Sequence, residues 1–238
     1  MRNKLDWKVR LGNFFFKFRA VSPIPFIIIL FVFFTPRDLG ERNLIVNLVS
    51  LAVVLLGLTL RIVAVGYSHF GTSGRENFLR AESLNTEGIY SIMRNPLYVG
   101  NFLVYNGVLI AFANPWAFIP YNLYLVVLYY FIIHSEEAYL RSQYGKTYDE
   151  YRRITPRLIP ALSQYRRPTV PFSPRKVLFK EKNSVFYGMV FYMSVLIYKE
   201  YLINGGVIEK TGVLLYTGLA LFVLNVFLVI LKRRYYPY

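Results

Sequence analysis

The chain has 238 residues, of which 55% are hydrophobic and only 17% are charged. A soluble domain carries about 25% charged residues, so this composition excludes an ordinary water-soluble globular protein and predicts an integral membrane protein. The net charge of +15 is attributed to lysine and arginine held on the cytoplasmic side of a membrane, not to nucleic-acid binding. With no cysteine and two histidines that lack metal-ligand spacing, no disulfide and no metal site is expected.

The N-terminal residues combine aromatic and basic side chains. Residues 5–19 predict a helix that lies in the lipid headgroup layer, and the alternative is a basic flank that orients the first span. The apolar run that follows, residues 21–35, is short for a membrane span, which needs about 20 residues. Whether this run crosses the membrane fully is left open.

Six apolar runs are candidate membrane spans: residues 21–35, 44–66, 97–113, 116–134, 184–203 and 211–231. Six spans place both termini on one side, together with 23 of the 28 lysine and arginine residues, whereas three lie on the other side. Because basic residues stay on the cytoplasmic side, this asymmetry predicts about six transmembrane helices with both termini cytoplasmic. The fold class is therefore an all-α integral membrane protein with an N-terminal interfacial helix.

The third and fourth runs form a predicted hairpin, because only Asn114 and Pro115 separate them. The hairpin brings Arg94 together with Glu136 and Glu137 at the cytoplasmic surface. Charged groups at this depth are costly and tend to be paired or functional. The alternative is that these charges only mark helix ends and pair with each other. No Rossmann, P-loop or nucleophile-elbow motif is present.

Two sequence blocks carry a resemblance to a known family. GIYSIMRNPLYVGNFL resembles the G-x-Y-x-x-x-R-H-P-x-Y-x-G signature of the isoprenylcysteine carboxyl methyltransferase and phospholipid methyltransferase family. HSEEAYLRSQYGKTYDEYRRITPRLIP resembles its second signature, with paired glutamates, a tyrosine-rich stretch and a P-R-x-I-P ending. The blocks, residues 86–100 and 134–160, stand in the family's order with a hydrophobic hairpin between them.

The resemblance implies a helical membrane enzyme that uses S-adenosylmethionine, with S-adenosylhomocysteine as product. Carried over by motif position, the cofactor-binding residues are Tyr90, Arg94, Asn95, Pro96, Tyr98, Gly100, Glu136 and Glu137. Arg94, Asn95 and Glu137 are the expected catalytic residues. Arginine suits the donor's carboxylate, carboxylates suit its ammonium or ribose diol, and aromatic faces suit its sulfonium.

The sequence departs from the family pattern at Asn95, where the family has histidine. Because asparagine cannot titrate, this difference favours a methyl acceptor that is already anionic and needs no base. Arginines in the loops suit the geometry of a phosphate. The alternative interpretation is that they are ordinary basic residues of cytoplasmic loops. The expected substrate-binding residues are Arg75, Arg80, Arg153 and Arg157.

The NFFFKFR start, the RNPLYVGN block and the PFSPRKVL segment, residues 171–178, resemble a bacterial subfamily that methylates the 1-phosphate of lipid A. The expected partner is a membrane lipid with an anionic headgroup, in the bacterial inner membrane, with the active site at the cytoplasmic face. Prenylcysteine carboxyl methylation and phosphatidylethanolamine N-methylation are the rivals within the enzyme class. An NADPH-dependent sterol-type membrane reductase and a non-enzymatic scaffold are the other classes. The oligomeric state is left open.

Three regions follow from these assignments. Residues 1–20 form the interfacial amphipathic segment, and residues 21–165 form the methyltransferase membrane core. Residues 166–238 form a basic linker and a C-terminal two-helix membrane extension.

Overall fold

The computed structural model describes residues 6–19, 21, 23–69, 82–206 and 212–235. These residues form eight α-helices and no β-strand, which confirms the all-α prediction. The helices are α1 (Trp7–Phe18), α2 (Pro23–Phe33), α3 (Asn43–Gly66), α4 (Ile89–Ile92), α5 (Pro96–Phe112), α6 (Pro115–Ile154), α7 (Pro174–Ile203) and α8 (Gly212–Tyr235).

The predicted hairpin is formed by α5 and α6. Ala113 ends α5 in the left-handed conformation, with φ of 57°. The side chain of Asn114 then accepts a hydrogen bond from the backbone N–H of Trp116 at 3.0 Å, and Pro115 occupies the first turn of α6. Asparagine at the cap and proline at the first helical position both favour a helix start, so the local sequence fixes the turn.

Two segments of the described chain are long and apolar enough to cross a membrane, Gly40–Gly66 and Pro115–Ile154. Pro96–Phe112 and Tyr216–Ile230 are shorter apolar helices. α2 has 11 residues, so it is about 16 Å long and does not by itself cross a hydrocarbon layer of about 30 Å. Six spans with cytoplasmic termini therefore stay a prediction.

Helices α3 and α5 pack closely because glycines face each other at their crossing. A Cβ atom placed on Gly57 would lie 2.6 Å from the backbone oxygen of Gly100, and one on Gly107 would lie 2.8 Å from that of Ser50. Small residues at such a crossing let two helix backbones approach each other. α7 packs against both α3 and α5, and α8 packs against α7.

The stretch after the second sequence block folds back onto the first block. Arg166 forms an isolated antiparallel bridge with Gly88, and its backbone N–H donates to the Ser91 hydroxyl at 2.8 Å. Thr169 donates to the Glu87 carboxylate from both its backbone N–H, at 2.8 Å, and its hydroxyl, at 2.6 Å. These bonds lower the pKa of Glu87. The basic linker is thus packed against the region that carries the first motif.

Candidate active site

Backbone hydrogen bonds join the two sequence blocks. The Arg94 N–H donates to the Pro156 carbonyl at 2.9 Å, and directly after the second block the Ala161 N–H donates to the Ile92 carbonyl at 2.9 Å. The first block lies at the start of α5, and the second runs from the end of α6 into the loop that follows. The hairpin therefore brings the blocks together, as expected from their order.

A buried ion pair lies at the centre of this junction. Arg94 donates to Oε1 of Glu137 from Nε at 3.1 Å and from Nη2 at 2.9 Å. The side chains of Arg94 and Glu137 are only 9% and 8% exposed. Arg94 also donates from Nη1 to the carbonyls of Arg152, at 2.9 Å, and Thr155, at 2.6 Å. Arg94 thus holds the end of α6 in place, and its pairing with Glu137 also agrees with the alternative that these charges pair with each other.

Glu137 binds a second arginine. Arg157 donates to Oε1 of Glu137 from Nε at 3.2 Å and makes a short contact with Oε2 through Nη2. Because the Arg157 side chain is 37% exposed, it forms the outer side of the cluster. One carboxylate therefore lies between two guanidinium groups, and the cluster of Arg94, Glu137 and Arg157 carries a net positive charge.

Asn95 supports the same loop without a titratable group. Its side-chain Nδ2 donates to the Arg157 carbonyl at 3.1 Å, and the residue is 8% exposed. The Asn95 carbonyl accepts from the backbone N–H groups of Tyr98 and Val99 at the start of α5, where Pro96 is the first residue. Asn95 thus supplies a hydrogen-bond donor at this position, and a histidine ring N–H would supply a donor as well.

Replacing Asn95 tests this donor role. Asn95→His is expected to keep the methyl-transfer activity that the resemblance implies within about threefold, because one ring nitrogen can still donate a hydrogen bond. Asn95→Asp removes the donor and leaves a carboxylate facing the Arg157 carbonyl, which should reduce activity at least about tenfold, since a lost bond to a buried group costs ~1–3 kcal/mol. Initial rates of the three proteins decide the matter, and equal rates for histidine and aspartate would contradict the role.

Adjacent glutamates contact different groups. The Tyr98 hydroxyl hydrogen-bonds to Glu136, and Arg19 of α1 interacts electrostatically with both of them. The rings of Tyr98 and Tyr129 lie 5.2 Å apart between their centroids. Glu136 therefore belongs to a second polar cluster, made of Arg19, Tyr98 and Glu136, next to the cluster around Glu137.

Two further predicted cofactor residues have structural contacts. The backbone carbonyl of Tyr90 accepts from the Tyr151 hydroxyl at 2.7 Å, and burial raises the pKa of Tyr90. Gly100 lies at the crossing with α3, where an added Cβ would come within 2.6 Å of Cγ of Arg61. Gly100 thus permits close packing of α5 on α3, a role that the motif position alone does not reveal.

A cavity of about 420 Å³ lies beside the Arg94–Glu137 pair, within the usual size range of ligand pockets. Its lining residues are His134, Glu137, Ala138, Arg141, Ser142, Arg152 and Arg157. From His134 to Ser142 these residues recur at three- and four-residue intervals, so one face of α6 forms a wall, and Arg152 follows after the kink at Gly145. Arg141 also pairs with Asp149 at 3.0 Å. The excess of arginine over carboxylate makes the cavity favourable for an anionic group.

The predicted substrate-binding arginines have different positions. Arg157 lines the cavity, whereas Arg153 is exposed and is not among its lining residues. Arg75 and Arg80 lie outside the described residues. Arg152, which the sequence also offered as a phosphate-binding arginine, lines the cavity as well. Sequence reasoning did not select two other cavity residues, His134 and Arg141, which could have been found from their helical spacing relative to Glu137.

The residues present are compatible with S-adenosylmethionine. The Tyr148 hydroxyl is buried without a hydrogen-bond partner, and it lies within electrostatic range of Arg94, Glu137 and Arg157. A buried polar group that lacks a partner is costly, so a ligand that supplies one is stabilising. The cluster offers a carboxylate for an ammonium or diol, arginines for a carboxylate and a free phenol. Glu137 and Arg157 line the cavity and would hold the cofactor there, with the buried Tyr148 hydroxyl nearby.

The described residues thus form a helical protein with a buried arginine–glutamate pair beside a basic cavity. Residues 46–147 match the family model of phospholipid methyltransferases. This segment is similar to the phospholipid methyltransferase family, in agreement with the resemblance predicted from the two sequence blocks.

Parts of the chain are similar to curated proteins with different names. The chain is 35% identical over 121 residues, 48% of its length and 49% of the relative's, to a protein-S-isoprenylcysteine O-methyltransferase of Schizosaccharomyces pombe. It is 34% identical over 99 residues, 42% of its length and 37% of the relative's, to methanethiol S-methyltransferase 2 of Bradyrhizobium diazoefficiens. It is 33% identical over 116 residues, 49% of its length and 51% of the relative's, to the cobalt-zinc-cadmium resistance protein CzcN of Cupriavidus metallidurans.

The matches cover only part of each protein. The chain spans about half the length of the first curated relatives that it matches. No solved structure matches the chain.

Proposed function

We propose that this chain is an S-adenosylmethionine-dependent methyltransferase that acts on a membrane lipid. The observation that carries the proposal is the buried Arg94–Glu137 pair, which joins the two motif blocks beside a basic cavity. The family match over residues 46–147 supports the reaction class, and relatives named as O- and S-methyltransferases agree with it. Arg94, Asn95 and Glu137 are the residues proposed to organise the reaction.

The chain's own groups position the reactants. When bound, S-adenosylmethionine supplies an electrophilic methyl group. Glu137 holds Arg157 in place by accepting from its guanidinium, Tyr148 offers a buried hydroxyl, and Arg157 is exposed enough to contact the donor's carboxylate or an incoming anion. Methyl transfer to an oxygen or sulfur atom depends chiefly on such positioning. Arg94 acts through Glu137, because its own donors are bound to Glu137 and to two backbone carbonyls.

The proposed acceptor is an anionic oxygen on a lipid headgroup, most specifically the phosphate of a glycolipid such as lipid A. Three arginines and one glutamate among the cavity residues favour an anion. An amine acceptor must first lose a proton, and Asn95 cannot take it, which disfavours phosphatidylethanolamine. A prenylcysteine carboxylate satisfies the same requirement, and the relative from Schizosaccharomyces pombe bears that name. The proposed location is the bacterial inner membrane, with the cavity at the cytoplasmic face.

Ligand-dependent stability tests the proposal. Thermal unfolding of the purified protein is followed with S-adenosylmethionine, S-adenosylhomocysteine and NADPH, because a ligand that binds only the native state raises the unfolding temperature. We expect a shift of several degrees with both adenosyl compounds and none with NADPH. A shift with NADPH alone would indicate a reductase, and no shift at millimolar concentration would remove the methyltransferase proposal and leave a scaffold.

Mass spectrometry of membrane lipids identifies the acceptor. Cells with and without the gene are compared, and the proposal requires a phosphorylated glycolipid that is heavier by one CH₂ unit only when the gene is present. The same mass difference on phosphatidylethanolamine or on a prenylated protein would overturn the phosphate assignment while keeping the enzyme class.

A further inference from the structure

One exposed face of helix α6 leads from its apolar half into the basic cavity. The apolar part of this face has side chains at three- and four-residue intervals that are 65%, 65%, 57% and 42% exposed, namely Ile119, Leu123, Val126 and Tyr130. The same spacing continues through His134, Ala138 and Arg141, which line the cavity. The exposed apolar residues, called the α6 stripe below, and the cavity wall therefore belong to one face of one helix.

Helix α1 packs on the other side of α6 and not on the α6 stripe. Phe16 packs against Leu128 and Ile132, which are 2% and 0% exposed. Both residues lie two positions from Tyr130, which is about 200° around a helix with about 3.6 residues per turn. The docking of α1 therefore leaves the α6 stripe available to a ligand in the membrane.

His134 lies where the α6 stripe ends and the cavity begins. Its ring stacks on that of Tyr130, with the centroids 6.2 Å apart and the planes inclined by 17°. On the cavity side, Nε2 lies 3.6 Å from Oδ2 of Asp6, the residue that caps α1, and the His134 side chain is 29% exposed. An imidazole N–H is a donor for an anionic oxygen. A ligand anion that arrives along the stripe therefore meets His134 first, in competition with the Asp6 carboxylate.

We propose that this face of α6 is the docking surface of the lipid acceptor, with an acyl chain on the α6 stripe and the headgroup phosphate at His134. The inference rests on the proposed function and deepens it by naming the surface that delivers the substrate. Charge complementarity selects the occupant, because one end of the surface is apolar and the other end has three arginines and one glutamate. Only an amphiphile with an anionic headgroup matches both ends.

The dimensions of the surface suit a lipid of one leaflet. From Ile119 to His134 the helix rises by about 22 Å, since each residue adds about 1.5 Å. Half of a hydrocarbon layer of about 30 Å is about 15 Å, so the stripe is long enough for an acyl chain. A phosphate at His134 then lies at the cavity that Glu137 and Arg157 also line, which is where the proposed methyl donor binds.

Photo-crosslinking of the full chain tests the surface. The crosslinking residue benzoylphenylalanine replaces Val126 on the α6 stripe or, as the matched control, Leu56 on α3, because both side chains are 57% exposed. The protein is placed in phosphatidylcholine vesicles with phosphatidic acid as the minor lipid, and mass spectrometry of the adducts gives the ratio of the two lipids. At position 126 we expect phosphatidic acid to be enriched about threefold over the vesicle, the effect of roughly one net hydrogen bond. At position 56 the adducts should have the vesicle's own ratio.

Two variants then test the contact at the end of the stripe. His134→Ala should return the ratio at position 126 to that of the vesicle. Asp6→Asn should raise the enrichment, because it removes the competing carboxylate while asparagine still caps α1. This variant keeps the test decisive even if His134→Ala does not fold, which circular dichroism checks.

Equal enrichment at positions 126 and 56 would mean that anionic lipid gathers around the whole protein, and it would refute the inference. Enrichment that survives in a folded His134→Ala protein, or that does not rise in Asp6→Asn, would refute the contact with His134. The crosslinking needs no methyl donor. A missing thermal shift with S-adenosylhomocysteine would therefore remove the proposed function, whereas the adduct ratios would still decide whether this face of α6 selects an anionic lipid.

Discussion

Glu137→Gln is expected to reduce methyl transfer by at least about 100-fold, which corresponds to ~2.7 kcal/mol of lost transition-state stabilisation. The substitution leaves the shape of the side chain almost unchanged and removes the negative charge between Arg94 and Arg157. Two guanidinium groups then face each other across an amide, and one of them is only 9% exposed. Breaking a buried pair in this way typically costs ~3–5 kcal/mol. The thermal shift with S-adenosylhomocysteine should disappear as well.

Initial rates and ligand titrations compare this variant with Glu150→Gln, which makes the same chemical change at an exposed position of the same helix. Glu150→Gln should keep both properties. Arg94→Lys should resemble Glu137→Gln, because one ammonium cannot replace the contacts that Arg94 makes with Glu137, Arg152 and Thr155. A Glu137→Gln protein with near-normal activity and ligand binding would place the reaction elsewhere in the molecule.

The sequence predicted the hairpin and the meeting of its ends because both depend on local signals. Asn114 and Pro115 mark the turn, and the apolar runs on either side set the helix lengths. Arg94 and Glu137 then have to come close, whatever their side chains do in detail. Their spacing along the chain alone did not reveal that Arg94 is bound to Glu137 and two carbonyls, because those carbonyls lie at the end of α6, after the kink at Gly145, and the position of that end depends on tertiary contacts.

The position of α1 shows the limit of sequence reasoning more sharply. The aromatic and basic pattern predicted an interfacial helix, but the pattern is compatible with any direction on the membrane surface. Which residues face inward depends on the contact of Gly12 with α6, and that contact decides that Phe16 is buried and that Arg19 approaches Glu136. A pair of residues more than 100 positions apart leaves no periodic signal in one sequence.

Helix α7, the first helix of the C-terminal extension, is joined to α3 by a second buried ion pair. Arg61 of α3 donates to Glu181 of α7 from Nε at 2.8 Å and from Nη2 at 3.0 Å. It also donates to Asn101 of α5 at 2.7 Å and to Ser184 of α7 at 3.0 Å. The predicted extension is therefore built into the helix bundle through α7, and Arg61 does not simply point outward from the end of its span.

Glu181→Gln is expected to lower the free energy of unfolding by about 3–5 kcal/mol, because it leaves the charge of Arg61 buried in an apolar helix without its counterion. Arg61 is 9% exposed and Glu181 is 2% exposed, so water cannot compensate. The double variant Arg61→Met, Glu181→Leu should regain most of that stability, since apolar residues of similar volume often replace a buried pair without loss. Unfolding in detergent micelles measures the free energy of unfolding of both variants.

If Glu181→Gln unfolded like Glu150→Gln, the pair would not hold α7 against α3 and α5. If the double variant were as unstable as the single one, the fixed geometry of the pair, and not its charge balance, would be what positions α7.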